Sequence, residues 1–192
     1  MQIKRYKSFL LFFFLLAFNA AFAQKDSIVY KIPTEGDKVV YSGTVAVNNR
    51  SAAQLDAISK SWLDSYFKYH LPAAAPAGAD TTKLYNKATI EYKVRPGMVN
   101  IPFYCQFIIS INCKDNQYSY RISDIYFRPK SNTLNGIGYE NSPDYLVKIG
   151  KRKHLGIATS WNVTRGQIRE YLTKMNAAML ECIASFNKAM TN

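Results

Sequence analysis

Apolar and polar residues alternate through the middle of the chain, and this pattern predicts β-strands. Every second position from 101 to 113 is apolar, while most positions between them are polar. A strand with one buried and one wet face has this pattern. Residues 84–94 also place their apolar residues on one parity, and residues 38–47 are rich in β-branched side chains without a proline. We therefore predict three strands in these segments.

A hairpin and a bulge are predicted after the third of these strands. Asp115-Asn116 offers a two-residue turn, which would place Ile111 opposite Tyr120 in a fourth strand. The apolar parity then shifts by one between residues 122 and 125. Without a β-bulge, Asp124 would face the apolar side opposite Phe107, where an unpaired charge is costly. We therefore predict a bulge near residues 123–124 that turns Asp124 toward solvent or lets its carboxylate accept backbone hydrogen bonds.

Two segments repeat apolar residues at helical spacing behind a capping box. Ser51 stands three residues before Gln54, and Thr164 stands three residues before Gln167. The first helix is predicted to end near Leu71-Pro72, and the second to run from about 164 to 190. Residues 72–82 predict a surface loop, and residues 129–161 predict a long connection with little regular structure.

The order β-α-β-β-β-α predicts an α+β fold in which an antiparallel four-stranded sheet carries its helices on one face. A length near 170 residues, once residues 1–23 are set apart, fits a single domain over residues 24–192. The apolar content of this segment is large enough for a hydrophobic core that needs no disulfide.

The segment 32–47, the helix AAQLDAISKSWLDSYF and the hairpin FIISINCKDNQYSYRISDIYF resemble the DUF4468 family, exported proteins of Bacteroidetes-type bacteria with a TATA-binding-protein-like (TBP-like) fold. The resemblance covers residues 30–128, and its most specific parts are packing positions in residues 55–67 and 118–127. It implies a TBP-like fold and export, and it transfers no activity and no catalytic residue.

Residues 1–23 predict a cleavable secretory signal peptide. Lys4, Arg5 and Lys7 precede an unbroken apolar run over residues 9–18, which is followed by the small-residue pattern Ala21-Phe22-Ala23. The run is about half of the ~20 residues needed to span a bilayer. No cysteine lies near the predicted cut. We therefore predict an exported, soluble protein, periplasmic or secreted, that is not a lipoprotein and has no transmembrane segment after cleavage.

The chain is basic, with 25 Lys+Arg against 13 Asp+Glu and a formal net charge of +12. Cleavage would remove three basic residues and leave +9. A candidate anion-binding stretch lies in the second half, with a phosphate, a lipid head group or an acidic glycan of the cell envelope as partner. A solvated loop is the alternative. The stretch comprises Lys148, Lys151, Arg152 and Lys153, and it is flanked by Arg128, Lys130, Arg165 and Arg169.

Candidate catalytic chemistry is sparse. His70 at the predicted helix end and His154 in the basic stretch are both predicted to be exposed, without a nucleophile and a carboxylate beside them. The sequence contains no GxSxG, HExxH, P-loop or dinucleotide-binding motif. We therefore predict no catalytic residue, no metal site and no cofactor. Nucleic-acid binding is also not predicted, because Tyr104 and Ile108 on the wet strand face are too few for a stacking platform.

Three cysteines leave at least one thiol unpaired within the chain. Cys105 and Cys113 share a predicted strand about 27 Å apart, far beyond the ~7 Å Cα separation that a disulfide permits. Either could pair with Cys182, or all three could be small core residues.

These observations favour a non-catalytic binding module of the bacterial cell envelope, whose open sheet face or basic loop meets a partner. Two alternatives stay open. One is a carrier that holds a small apolar ligand between the sheet and the C-terminal helix. The other is an enzyme whose residues form no recognised motif.

Overall fold

The computed structural model describes residues 31–75, 83–95, 100–130, 142–150 and 164–192. These ranges contain two short strands, β1 (Thr34–Glu35) and β2 (Lys38–Val39), which pair with each other. The main antiparallel sheet has the strand order β3-β7-β6-β5-β4. Its elements and the helices follow along the chain as β3 (Tyr41–Ala46), α1 (Ala52–Tyr66), β4 (His70–Pro72), β5 (Leu84–Val94), β6 (Ile101–Lys114), β7 (Gln117–Pro129), α2 (Pro143–Gly150) and α3 (Arg165–Thr191).

One face of the main sheet is buried beneath the three helices. In β6 the residues alternate between buried and partly exposed from Ile101 onward, and the buried set packs with apolar residues of α1, α2 and α3 in a single core. The opposite face carries polar and charged side chains, and no helix of the described residues packs on it. We call this second surface the open face.

The predicted hairpin and bulge are confirmed. Ile111 pairs with Tyr120 across the turn, and the register between β6 and β7 shifts between Gln106 and Ile108. Asp124 lies at the shift with a φ of 51° and is exposed. The left-handed backbone at Asp124 lets β7 accommodate one extra residue, so the charge points away from the core.

The hairpin turn is also joined to the start of α1. The side chain of Asp115 accepts a hydrogen bond of 2.7 Å from the backbone N–H of Ala52. The backbone N–H of Val47 donates to the carbonyl of Asn116 at 2.8 Å, and the N–H of Asn116 donates to the carbonyl of Arg50 at 2.8 Å. The β3–α1 connection and the β6–β7 turn thus satisfy each other's backbone groups.

The α+β fold class is confirmed, with five strands in the main sheet rather than four. The prediction that the first helix continues to Leu71 is wrong, because α1 ends at Tyr66 and Phe67 is extended. The added strand, β4, pairs with β5 through His70 opposite Ala88. Pro72 disfavours helical backbone at the residue before it, and the side chain of His70 has a partner on β5, so the strand is preferred here.

Helix α2 lies within the connection where the sequence predicts little regular structure. Ser142 precedes it, and its hydroxyl accepts a hydrogen bond of 3.1 Å from the backbone N–H of Asp144, while Pro143 occupies the first helical position, which suits proline. The capping box of α3 is confirmed, with Thr164 and Gln167 bonding each other's backbone. Among the described residues, no helix has both the length and the apolarity that crossing a bilayer requires.

Candidate functional site

The open face carries aromatic and basic side chains at the end of the sheet near residue 130. Tyr104 on β6 lies between Arg128 on β7 and Glu91 on β5 in the strand register. Lys93 pairs with the neighbouring Pro102, whose carbonyl accepts the backbone N–H of Lys130 at 2.9 Å. We call this group the cationic patch: Glu91, Lys93, Tyr104, Arg128 and Lys130.

The ring of Tyr104 organises the cationic patch. The guanidinium carbon of Arg128 lies 6.0 Å from the ring centroid, and the Nζ of Lys130 lies 5.6 Å from it. Lys130 also donates a hydrogen bond of 2.7 Å to Glu91. Each exposed cation–π contact contributes about 0.5–1 kcal/mol. Two cations are therefore held beside one aromatic ring.

Within the described residues, the cationic patch has more positive than negative charge. Arg128, Lys130 and Lys93 surround the single carboxylate of Glu91, which is engaged by Lys130. Further along the open face, Arg121 forms an ion pair with Glu35 of β1, with 2.6 Å between a guanidinium nitrogen and a carboxylate oxygen. An anion approaching this face would be attracted to the patch.

A cleft of about 500 Å³ opens beside β4 at the edge of the sheet. Strand β4 covers only part of β5, so Thr89 has no strand partner on its outer side within the described residues. The end of α1 and the segment before β4 form the other wall. We call this the edge cleft, and it is lined by Asp64, Phe67, Lys68, Tyr69, His70, Leu71, Lys87, Thr89 and Gln106.

His70 is fixed in the wall of the edge cleft. Its Nε2 lies 3.1 Å from Oδ1 of Asp64, and its Nδ1 lies 3.3 Å from Oδ1 of Asn86. Asn86 is 4% exposed, and the side chain of His70 is 21% exposed. The prediction that His70 is exposed and has no carboxylate beside it is therefore wrong, because β4 brings His70 against β5 instead of leaving it at a free helix end.

The predicted anion-binding stretch is only partly described. Lys148 lies exposed on α2. Lys151, Arg152 and Lys153 lie outside the described residues, as do His154 and the predicted signal peptide. Arg128 and Lys130, which the sequence groups with this stretch, instead belong to the open face, because β7 continues through Pro129.

All three cysteines are free thiols. Cys105 and Cys182 are fully buried in the core between β6 and α3. Burial raises the pKa of the Cys105 thiol, and burial together with Glu181 raises that of Cys182 to about 12. Burial also raises the pKa of Cys113. These thiols therefore stay protonated at neutral pH. Among the described residues, no group of three or more His, Cys, Asp or Glu side chains is placed to hold a metal ion.

The space between the sheet and α3 is filled by side chains. The ring of Phe186 lies 5.3 Å from that of Tyr118 and 6.0 Å from that of Tyr120, while Tyr171 lies 5.3 Å from Phe103, all measured between ring centroids. Met175 and Met179 between them are fully buried. The described residues therefore occupy the position that a carried apolar ligand would need.

The sequence pattern indicates Tyr104 on the open face, but we predicted neither the position of Tyr126 on that face nor the edge cleft. Tyr126 pairs with Gln106 on the open face because the bulge at Asp124 reverses the parity of β7 beyond it. The parity shift in the sequence carries that information. No local pattern indicates the edge cleft, since its walls come from α1, β4, β5 and β6.

The arrangement of one antiparallel sheet with helices on a single face places the chain among TBP-like α+β folds. Two solved structures share it. A TBP-like protein from Parabacteroides distasonis has a TM-score of 0.59 and 13% identity, over 83% of this chain and 96% of that chain. A DUF4468 family protein from Bacteroides ovatus has a TM-score of 0.63 and 12% identity, over 88% of this chain and 97% of that chain. The DUF4468-like, TBP-like fold is thereby confirmed. No family model and no curated protein matches the chain.

Proposed function

We propose that this protein is an exported, non-catalytic binding module of the bacterial cell envelope that binds an anionic envelope component, a glycan or a lipid head group, on its open face. The observation that carries the proposal is the cationic patch. Arg128, Lys130 and Lys93 present positive charge around one carboxylate on a rigid strand framework. Because Lys93 and Arg128 lie on paired strands, their backbone is already ordered before a ligand arrives, and only their side chains lose conformational freedom on binding.

The surroundings of the patch support an anionic partner. The predicted signal peptide favours export, and acidic glycans and lipid head groups are the anions that an exported envelope protein meets. Tyr104 adds an aromatic surface beside the cations, so a ligand with an apolar face beside its charge gains two kinds of contact.

A binding role is better supported than a carrier role. The aromatic contacts of Phe186 and Tyr171 join α3 to the sheet, whereas a carrier needs space there. The thiols are buried with raised pKa values, and His70 is engaged by Asp64 and Asn86. In the described structure the thiols of Cys105 and Cys182 pack in the core, and His70 joins β4 to α1 and β5.

The test compares two variants of equal charge. Lys93→Gln with Arg128→Gln removes two cations from the patch, and Lys174→Gln with Lys188→Gln removes two exposed cations from α3. Each mature protein is titrated with polygalacturonate and with phosphatidylglycerol vesicles at about 0.15 M salt, where the screening length is about 8 Å. We expect the patch variant to bind one of these probes about tenfold more weakly, a loss of about 1.4 kcal/mol.

Equal weakening in the two variants would assign the binding to net charge alone and overturn the proposal. Failure of the unmodified protein to bind either probe would also overturn it. A third variant, with serine at Lys151, Arg152 and Lys153, tests the basic stretch. If this variant alone loses binding, the partner is held by the stretch and not by the open face.

A further inference from the structure

We propose that the edge cleft is a subsite for one sugar unit that carries a carboxylate, within an acidic glycan whose chain continues onto the cationic patch. This inference rests on the proposed function and selects a glycan over a lipid head group. It assigns a second, more specific contact to residues that lie outside the patch, chiefly Lys68, Tyr69 and Lys87.

The edge cleft and the cationic patch are continuous. Gln106 lines the cleft and lies two residues from Tyr104 on β6, while Thr89 lines it and lies two residues from Glu91 on β5. Alternate residues of a strand share a face and are about 7 Å apart. A ligand in the cleft therefore reaches the patch without leaving the open face.

The charges of the cleft suit a carboxylate. Lys68 and Lys87 both line it, and Asp64 is the one acidic residue among the lining residues. Oδ1 of Asp64 is engaged by His70. The Nζ of Lys68 lies 5.2 Å from the centroid of the Tyr69 ring, which keeps the ammonium at the cleft. Two ammonium groups against one engaged carboxylate leave the cleft positive.

The rim of the cleft offers apolar surface. Tyr69 is 62% exposed and Leu71 is 69% exposed, and both line the cleft. Leu71 pairs with Lys87 in the register of β4 and β5, so the apolar rim stands beside a cation. One face of a pyranose ring is made of C–H groups, which pack well against aromatic and aliphatic side chains.

The polar lining favours a sugar over an acyl chain. Seven of the nine lining side chains carry hydrogen-bonding groups, among them the hydroxyl of Thr89 and the amide of Gln106. An acyl chain would cover these groups without pairing them, which is costly. A sugar that carries a carboxylate has hydroxyl and carboxylate groups that can pair with several of them. The volume of about 500 Å³ lies within the range of small-molecule sites.

The wall of the edge cleft that contains His70 is held by hydrogen bonds within the protein, before any ligand binds. Asp64 and Asn86 hold both ring nitrogens, and Asn86 is buried in the core. Because these contacts connect α1, β4 and β5, the end of α1 is fixed relative to the sheet. A preformed wall reduces the ordering cost of binding.

The experiment titrates the full mature protein with a short oligogalacturonate, with its methyl ester and with phosphatidylglycerol vesicles. The ester keeps every sugar ring but removes the negative charge. The variants are Lys68→Gln with Lys87→Gln, and Tyr69→Ala. The matched control is Lys174→Gln with Lys188→Gln on α3. We expect the acid to bind at least about tenfold more tightly than its ester, and both cleft variants to lose about tenfold while the control is unchanged.

Chemical-shift mapping with the acid locates the contact, and we expect the amides of Tyr69, Thr89 and Gln106 to shift. If the cleft variants bind the acid as the unmodified protein does, while the patch variant is weakened, the subsite is overturned and the proposed function stands. If the acid and its ester bind equally, the carboxylate assignment is wrong. If only the vesicles bind, the ligand is a lipid head group and the glycan assignment is overturned.

Discussion

The phenol hydroxyl of Tyr41 on β3 donates a hydrogen bond of 2.8 Å to Oδ1 of Asn176 on α3. A second pair repeats the contact, since Tyr118 on β7 donates at 2.8 Å to Asn187. The two asparagines are eleven residues apart, close to three helical turns, so both face the sheet. These pairs set the position of α3 along the two neighbouring strands.

Removing the first of these hydrogen bonds should destabilise the protein. Tyr41→Phe keeps the ring in the core but leaves Oδ1 of Asn176 without its donor, and we expect a loss of about 1 kcal/mol in the free energy of unfolding. The measurement is urea denaturation. Tyr69→Phe removes an exposed hydroxyl and should change stability by less than about 0.5 kcal/mol. A loss no greater than that of the control would show that the Tyr41 contact does not contribute to stability.

The ring of Tyr120 lies so close to Gly43 that a larger residue at position 43 would collide with it. A Cβ at position 43 would lie 2.7 Å from the hydroxyl oxygen of Tyr120 and 2.8 Å from its Cζ, and that ring packs edge-on against Phe186. Gly43→Ala should therefore cost about 1–3 kcal/mol by displacing the ring. In contrast, Gly166 in the first turn of α3 has nothing closer than 3.8 Å to an added Cβ. Gly166→Ala should stabilise by up to about 1 kcal/mol, and thermal unfolding of both variants checks the opposite signs.

The bulge residue Asp124 has a φ of 51°, which side chains branched at Cβ tolerate poorly. Asp124→Val should destabilise by about 1–2 kcal/mol, whereas Asp124→Gly should be neutral or stabilising because glycine adopts this backbone without strain. Guanidinium unfolding of the two variants distinguishes them. Equal stability of the valine and glycine variants would mean that β7 changes its register at the bulge.

The buried thiols make stability depend on pH above the neutral range. A thiol in the unfolded chain has a pKa near 8.5, whereas burial raises the pKa of Cys182 to about 12 in the folded protein. Above about pH 9 the folded state therefore retains a proton that the unfolded state has lost, and stability falls with rising pH by up to about 1.4 kcal/mol per pH unit for each such thiol. Below about pH 8 this contribution is fully present and constant.

The check is a series of urea midpoints from about pH 7 to about pH 10 under reducing conditions, a range chosen to end before most tyrosines titrate. Cys182→Ala should lower stability at neutral pH and show a shallower fall in alkali than the unmodified protein. Parallel curves for the two proteins would mean that Cys182 ionises as readily when folded as when unfolded.

The hairpin is the part of the fold that sequence predicts best. Its register depends on side-chain alternation and on a two-residue turn, and both are local properties. Asp124 is predictable for the same reason, because a single charged residue on an apolar parity signals a bulge. The capping boxes at Ser51 and Thr164 likewise fix the starts of α1 and α3.

Strand β4 and helix α2 are not predicted because their stability comes from distant partners. Tyr69 continues the helical spacing of α1, yet His70 pairs with Ala88 of β5. At α2 a local indication exists, since Ser142-Pro143-Asp144 is typical of a helix start. The surrounding glycines and asparagines obscure it, and the contact that orients α2 is the 2.6 Å hydrogen bond from the N–H of Val39 to Asp144.

The candidate site is less predictable than the fold. The cationic patch needs the register of three strands before Lys93, Tyr104 and Arg128 can be placed together. The edge cleft needs β4 as well, because Lys68 and Gln106 line the same cleft only when the chain between them has returned along β5. Charge counts along the sequence point instead to residues 148–153, where basic residues are neighbours in the chain.

The hydrogen bond between Asp115 and Ala52 joins residues 63 positions apart, and this has a kinetic consequence. Closing so long a loop costs entropy that local helix formation cannot recover, so the N-terminal turn of α1 gains this bond only after β6 and β7 have met. Loss of the hairpin tip then frees the amides of Val47, Ala52 and Asn116 in one opening event. In hydrogen exchange these three amides should share a single opening free energy.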